Sequence, residues 1–194
     1  MSCSNTALLV IDAQQSFQHR PYWSAADAPA FFDRMQALID GAKARQIPVL
    51  QIFHVEEEGA FSLASGHVKT LSALSITPDA VFYKHRHSAL IGSGLSIWLT
   101  EHGISHLIIS GIRTEQCCET TTRHASDSGY SVDFVSEATL SFAMTDRVGR
   151  VWSAEEIKER TELVLEGRFA HVLTVEQAMA AADASNENPG RRAA

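Results

Sequence analysis

Three cysteines in 194 residues, Cys3, Cys117 and Cys118, are too few for a disulfide framework. Adjacent cysteines rarely bridge each other, and three cannot all pair. No C-x-x-C pair occurs, which excludes zinc and dithiol redox sites of that spacing. A reduced, cytoplasmic setting is the expectation. No run approaches the roughly 18 to 20 apolar residues of a membrane span. Met1 to Thr6 has no basic residue, and the apolar run after it stops at Asp12, so no secretory signal is expected. Lys and Arg number 16 against 23 Asp and Glu, a formal net charge of -7. That balance argues against nucleic acid and anionic membranes as partners. Glycine is missing from Asp12 to Gln18 (DAQQSFQ), so a phosphate cradle after the first strand is excluded.

Hydrophobic residues make up 45% and charged residues 20%, enough for one well-filled core. A single domain is expected over residues 1–184, with a polar, disordered tail over residues 185–194. Between the ends the pattern alternates. Ala7 to Ile11 (ALLVI) is continuous and apolar, as in a strand buried on both faces. Pro29 to Arg45 has helical spacing, with Asp27 as a candidate N-cap. Further strands are expected at Pro48 to His54, Ala80 to Lys84, Ser105 to Ser110 (broken by Gly111), Tyr130 to Val135 and Phe169 to Leu173. Further helices are expected at Leu95 to His102, Thr114 to Ser128, Ser153 to Leu165 and Val175 to Ala182, with Ser153 as a cap supported by Glu155 and Glu156. Glu56 to Gly66 is an acidic loop. Strand and helix in regular succession mean an α/β fold, a parallel sheet with helices on both faces. In such sheets function gathers at the carboxyl ends of strands, where strand order reverses.

Three residues meet that condition together. Asp12 closes the first strand, Lys84 closes the third, and Cys117 falls in the first turn of the helix after the fourth. Singly, each has a plain explanation. An Asp there forms turns, a Lys there is solvated, and a Cys in a first helical turn is a small packing residue. Together they suit thiol chemistry. A free thiol is mostly protonated at neutral pH, while a helix N-terminus and a neighbouring ammonium favour the thiolate. A carboxylate can take the thiol proton and pass it to a leaving amine. Free backbone N–H groups at the helix start can hold an oxyanion. The trio fits cleavage of an amide or related C–N bond.

The stretch Leu107 to Ala125 (LIISGIRTEQCCETTTRHA) resembles the nucleophile segment of the isochorismatase-like cysteine hydrolases, at Gly111, Thr114, Glu115, Cys117 and Thr121. Ala7 to Phe17 resembles the family's opening strand, with Asp12, Gln14 and Phe17 in register. Val81 to Leu90 (VFYKHRHSAL) resembles the segment of the catalytic lysine, at Lys84, with Ser88 and Ala89 following. Gly129 to Thr139 resembles the next strand with its acidic-Ala-Thr ending. The resemblance implies a three-layer, Rossmann-like fold with six parallel strands in the order 3-2-1-4-5-6. It implies a catalytic triad of Asp12, Lys84 and Cys117. It also implies a cis peptide between Ile112 and Arg113, and oxyanion donors at the backbone of Arg113 and Cys117. A homo-oligomer, dimer or larger, is implied as well.

Of the paired cysteines, Cys117 is the expected nucleophile and Cys118 a core residue. Successive helical residues point about 100° apart, so only one thiol can face the carboxylate and the amine. Family members with a metal hold it through an Asp-x-His after the second strand; this chain reads Ile52, Phe53, His54 there. No metal and no cofactor is expected, although His54, Glu56, His67, His85 and His87 offer loosely spaced ligands. Phe17, Tyr22 and Trp23 are candidates for an aromatic wall against substrate, with His54 beside them. Arg113 either points at the mouth and selects a carboxylate-bearing substrate, or is solvated or at an interface. Phe142 and Trp152 either close over the pocket or belong to a subunit contact. Carbamoyl compounds, ureido acids, half-amides and small aliphatic amides all remain as substrates. The alternatives from other classes are a thiol redox sensor and a non-catalytic small-molecule binder on the same fold.

Overall fold

The computed structural model describes residues 4–25 and 28–187. Cys3, the Asp27 cap and residues 188–194 of the expected tail lie outside the described residues. Strands β1 (Thr6–Ile11), β2 (Val49–His54), β3 (Ala80–Lys84), β4 (His106–Ile112) and β5 (Ser131–Leu140) are followed by a short hairpin, β6 (Met144–Thr145) and β7 (Val151–Trp152), and then by β8 (His171–Val172). Helices α1 (Ala28–Ala44), α2 (Leu95–Glu101), α3 (Glu119–Asp127), α4 (Ala154–Leu165) and α5 (Val175–Glu187) connect them.

The main sheet has the order β3-β2-β1-β4-β5-β8, and all its pairings are parallel. This is the expected order, with β8 as the sixth strand. Side chains of β1 alternate between two apolar cores. Leu8 and Val10 pack with Phe31, Met35 and Leu38 of α1 and with Met179 of α5. Ala7, Leu9 and Ile11 pack with Leu95 and Leu99 of α2, Ala125 of α3 and Leu165 of α4. A strand that feeds hydrophobic layers on both faces has no polar alternation, which is why ALLVI reads as it does.

β1 is flanked by β2 and β4, so strand order reverses there and a crevice opens at the carboxyl ends. The strands approach closely at that point. Gly111 pairs with Ile11 and has φ +133°. A Cβ added there would stand 1.9 Å from the Ile11 carbonyl oxygen.

Several boundaries differ from expectation. Gly111 does not break β4; its positive φ lets the strand continue to Ile112 across a register shift against β5. β5 runs to Leu140 rather than Val135, because Glu137, Ala138 and Thr139 stay extended. The helix expected from Thr114 opens with a π-helical turn over Thr114–Cys118 before α3. The acidic loop folds into two 3-10 turns, Gly59–Phe61 and Leu63–Ser65. α5 continues to Glu187, past the expected domain end at residue 184. β8 is two residues long, not five.

The start of α4 is as expected. Ser153 accepts from the Glu156 N–H, and Glu156 accepts from the Ser153 N–H, a complete capping box. Replacing Ser153 by Ala is expected to lower stability by about 1 kcal/mol. Urea denaturation measures it, and an unchanged midpoint would show that the cap adds nothing.

Candidate active site

Asp12, Lys84 and Cys117 converge at the switch point. Asp12 is the first residue past β1, with φ +51°, an uncommon conformation for a residue with a side chain. Its N–H bonds the Ile52 carbonyl at 2.9 Å, and its own carbonyl accepts from the Gln14 N–H at 2.7 Å. Gln14 then bridges to β2: its Oε1 accepts from the His54 N–H at 2.8 Å, and its Nε2 donates to the His54 carbonyl at 3.1 Å. The buried amide finishes the β1–β2 ladder where the backbones diverge.

Lys84 ends β3, two strands away from β1. Strands lie about 4.8 Å apart, so the gap is about 10 Å and calls for a long side chain. Lys84 Nζ lies 2.8 Å from Asp12 Oδ2, 3.2 Å from Cys117 Sγ, 3.1 Å from His54 Nδ1 and 3.1 Å from the Arg86 carbonyl. Asp12 and Lys84 are wholly buried, and Cys117 is nearly so. An ammonium out of water is sustained only by such partners. Burial alone would lower Lys84, but Asp12 and Cys117 outweigh it and hold the ammonium above its ordinary range. Burial pushes the Asp12 carboxyl up, against the pull of Lys84.

Cys117 sits in the π-helical turn, where the N–H groups of Gln116 and Cys118 both go to the Arg113 carbonyl. The peptide bond between Ile112 and Arg113 is cis, at the place the resemblance puts one. Burial, then Asp12, raise the thiol well above its ordinary range, and Lys84 offsets only part of this. Burial thus works against the thiolate that the helix end and Lys84 favour, and leaves a proton for the neighbouring carboxylate to take. Cys118 is fully buried among Leu107, Ile109 and Ala125, a core residue as expected.

His54, an expected substrate contact, turns its Nδ1 to Lys84. Because Lys84 donates, Nδ1 accepts and Nε2 carries the proton, 3.6 Å from Glu56. Burial, with Lys84 and His87 adding to it, pushes His54 from 6.5 down to about 4. The unfolded chain therefore binds a proton here that the folded chain refuses between pH 6.5 and 4. The related stability is fully present above about 6.5 and is lost as pH falls toward 4. Between pH 7 and pH 5 the loss should be on the order of 2 kcal/mol. Denaturation of wild type and His54→Gln at both pH values tests this: the variant should lack that part of the slope, and equal slopes would refute it.

The aromatic residues after β1 come together with Phe61 and Phe142. Phe17 meets Phe61 edge-on at 5.0 Å, and Phe142 packs against Phe17, Tyr22 and Trp23 at 6.2, 5.2 and 5.6 Å. Phe142 is thus part of this cluster, 1% exposed, and not a closing lid. Trp152 lies in the hairpin, donates to Asp146 at 3.1 Å and is covered by Arg150 at 3.7 Å. This hairpin lies in the segment after β5, where the sequence predicts only a long loop. Arg113 does not point freely at the mouth. It is buried, its Nε lies 2.9 Å from Glu115 Oε1, and its guanidinium rests 5.1 Å from Tyr22 and 5.6 Å from Phe142. Glu115 also accepts from Ser141 at 2.8 Å. With its charge met by Glu115, Arg113 gives no ground for a carboxylate-bearing substrate.

One residue at the site was named only as a loose metal ligand. His87 Nδ1 lies 3.8 Å from Cys117 Sγ, and its ring is parallel to His54 at 6.4 Å. The sequence signal was its position three residues past Lys84, ahead of Ser88 and Ala89. Among the described residues, no group of three or more His, Cys, Asp or Glu side chains is arranged to hold a metal ion. A cavity of about 880 Å³ between α1, the end of β5 and α4, lined by Arg34, Glu137 and Lys158, contains none of the trio. Among the described residues no helix is long and apolar enough to cross a membrane.

A parallel sheet with an acid, a lysine and a cysteine at its switch point defines a recognisable class, and comparison with known proteins agrees. The isochorismatase domain model matches residues 6–177, so the chain belongs to the isochorismatase family. The isochorismatase family protein YrdC of Bacillus subtilis (strain 168) is 24% identical over 175 residues, 88% of this chain and 92% of that protein. Nicotinamidase 3 of Arabidopsis thaliana is 32% identical over 96 residues, half of this chain and 43% of that protein. A solved structure of the family from Chromobacterium violaceum superposes with a TM-score of 0.84 at 27% identity, covering 93% of this chain and 95% of the other. The protein has the hydrolase fold of this family.

Proposed function

We propose that this protein hydrolyses an amide or carbamoyl-type C–N bond of a small molecule through a thioester on Cys117. One observation carries the reading: a wholly buried Lys84 ammonium touches both Asp12 and the Cys117 sulfur, at 2.8 and 3.2 Å. Structural lysines seldom hold a carboxylate and a thiol together away from water. A nicotinamidase among the relatives is in keeping with an amide substrate.

Asp12 takes the thiol proton as Sγ attacks the carbonyl carbon. Lys84 holds the pair in place, and its charge offsets the negative charge that moves between sulfur and carboxylate. The backbone N–H groups of Arg113 and Cys117 receive the developing oxyanion. The C–N bond then breaks, the Asp12 proton goes to the departing amine, and a thioester remains. Tyr22 and Trp23, half-buried and packed on Phe142, are the aromatic side chains this reading offers to the apolar part of a substrate. An oxidation sensor would have no use for burial and a carboxylate that keep the thiol protonated.

An ammonia-release screen tests this, run over carbamoyl compounds, ureido acids, half-amides and small aliphatic amides. Cys117→Ala protein serves as the blank. Release well above the blank is expected for at least one class. Equal release by the blank would overturn the proposal.

A further inference from the structure

We propose that His87 is a further catalytic residue, the base that takes a proton from the water attacking the Cys117 thioester. This rests on the thioester reading above and adds its second half.

The sulfur has two proton-accepting neighbours of opposite character. Asp12 is wholly buried and held by Lys84, whereas His87 is exposed to solvent with Nδ1 3.8 Å from Sγ. The carbonyl carbon of a thioester is one bond from Sγ. Water reaching that carbon from the open side therefore comes within hydrogen-bond reach of His87. The segment that carries His87 is anchored at each end. Arg86 accepts from Lys84 through its carbonyl, Ser88 meets His124 Nδ1 at 2.8 Å, and the Ala89 N–H donates to Thr121 at 3.0 Å. The imidazole thus stands on a fixed backbone, although its ring reaches water.

The step balances. The water O–H proton goes to His87, the oxygen bonds to the carbonyl carbon, and the C–S bond breaks. The departing sulfur takes the proton from the His87 imidazolium and returns to a thiol. Neither oxidant nor metal is required. The titratable groups that face His87 are Cys117 in the π-helical turn, Asp12 after β1 and His54 at the end of β2, with His85 and Arg86 beside it on its own segment and Lys84 behind Cys117.

The chromogenic ester 4-nitrophenyl acetate is the probe, since it reports acylation and deacylation separately. Wild type should give a burst of nitrophenolate and then a steady rate limited by thioester hydrolysis. In His87→Gln and His87→Phe the burst should remain, while the steady rate falls about 10²-fold. Mass spectrometry should find acetylated Cys117 accumulating, and the acidic limb of the steady-rate pH profile should vanish. An unchanged steady rate and pH profile in both variants would overturn the role of His87. So would a burst lost in proportion to the steady rate. A wild type that forms no acetyl-Cys117, or a Cys117→Ala protein that keeps the burst, would instead overturn the thioester reading itself. Equal thermal melting of the variants and wild type confirms that the fold is intact.

Discussion

Cys117→Ser protein should retain no more than about a thousandth of wild-type turnover on any amide that the wild type cleaves. The substitution keeps the shape of the side chain and exchanges the sulfur for a far weaker nucleophile. The environment makes the loss severe. The thiol is already held protonated by burial and by Asp12, and an alcohol in its place is harder still to ionise. No thioester mass shift should appear after mixing with substrate, whereas wild type trapped during turnover should carry one. Cys118→Ser serves as the contrast. Its sulfur is fully buried in the core, so it should lower stability and leave a thioester on Cys117. Substantial turnover by Cys117→Ser would remove covalent catalysis from consideration.

The second large effect is expected at Lys84. Replacing it by Met keeps the length of the side chain but leaves Asp12 buried without its cation. Removing one partner of a buried ion pair costs about 3–5 kcal/mol, because the remaining charge is uncompensated. Urea denaturation should find a loss of that order, together with loss of turnover. The double variant Asp12→Asn, Lys84→Met separates charge from packing. It should regain roughly half or more of the lost stability, since no isolated charge remains, while staying inactive. Two single losses that simply add would mean that the pair does not interact energetically, despite its 2.8 Å separation.

The sheet was legible because a strand covered on both faces cannot alternate. ALLVI, VLQIF and HLII each announce a central position, and the long connections between strands, most of them helical, suit the parallel order. The trio was legible for a related reason: each member is polar and ends, or closely follows, a strand. What escaped was decided by contacts between distant segments. Arg113 read either as a mouth residue or as a solvated or interface one, because nothing in its neighbourhood announces that Glu115 turns back on it beneath Tyr22 and Phe142. The helix start and the lysine that favour a thiolate were visible in sequence, but the depth of burial that works against them was not. His87 was visible only as one histidine among several, since its approach to Cys117 depends on the anchoring of Ser88 and Ala89 to α3. The β6–β7 hairpin escaped because two-residue strands carry no periodic signal.

The crossing at Gly111 also bears on how this protein can diversify. With the Ile11 carbonyl only 1.9 Å from where a methyl group would stand, the junction of β1 and β4 accepts no side chain at all. New specificity cannot be built there by substitution. It must come from segments that do not carry the crossing: the residues after Lys84, which touch the trio, the 3-10 turns at residues 59–65, which reach His54 and Phe17, and the hairpin at residues 144–152 beside Glu115. A library confined to those segments should yield folded variants with altered amide preference, whereas one that includes residue 111 should yield mostly insoluble protein.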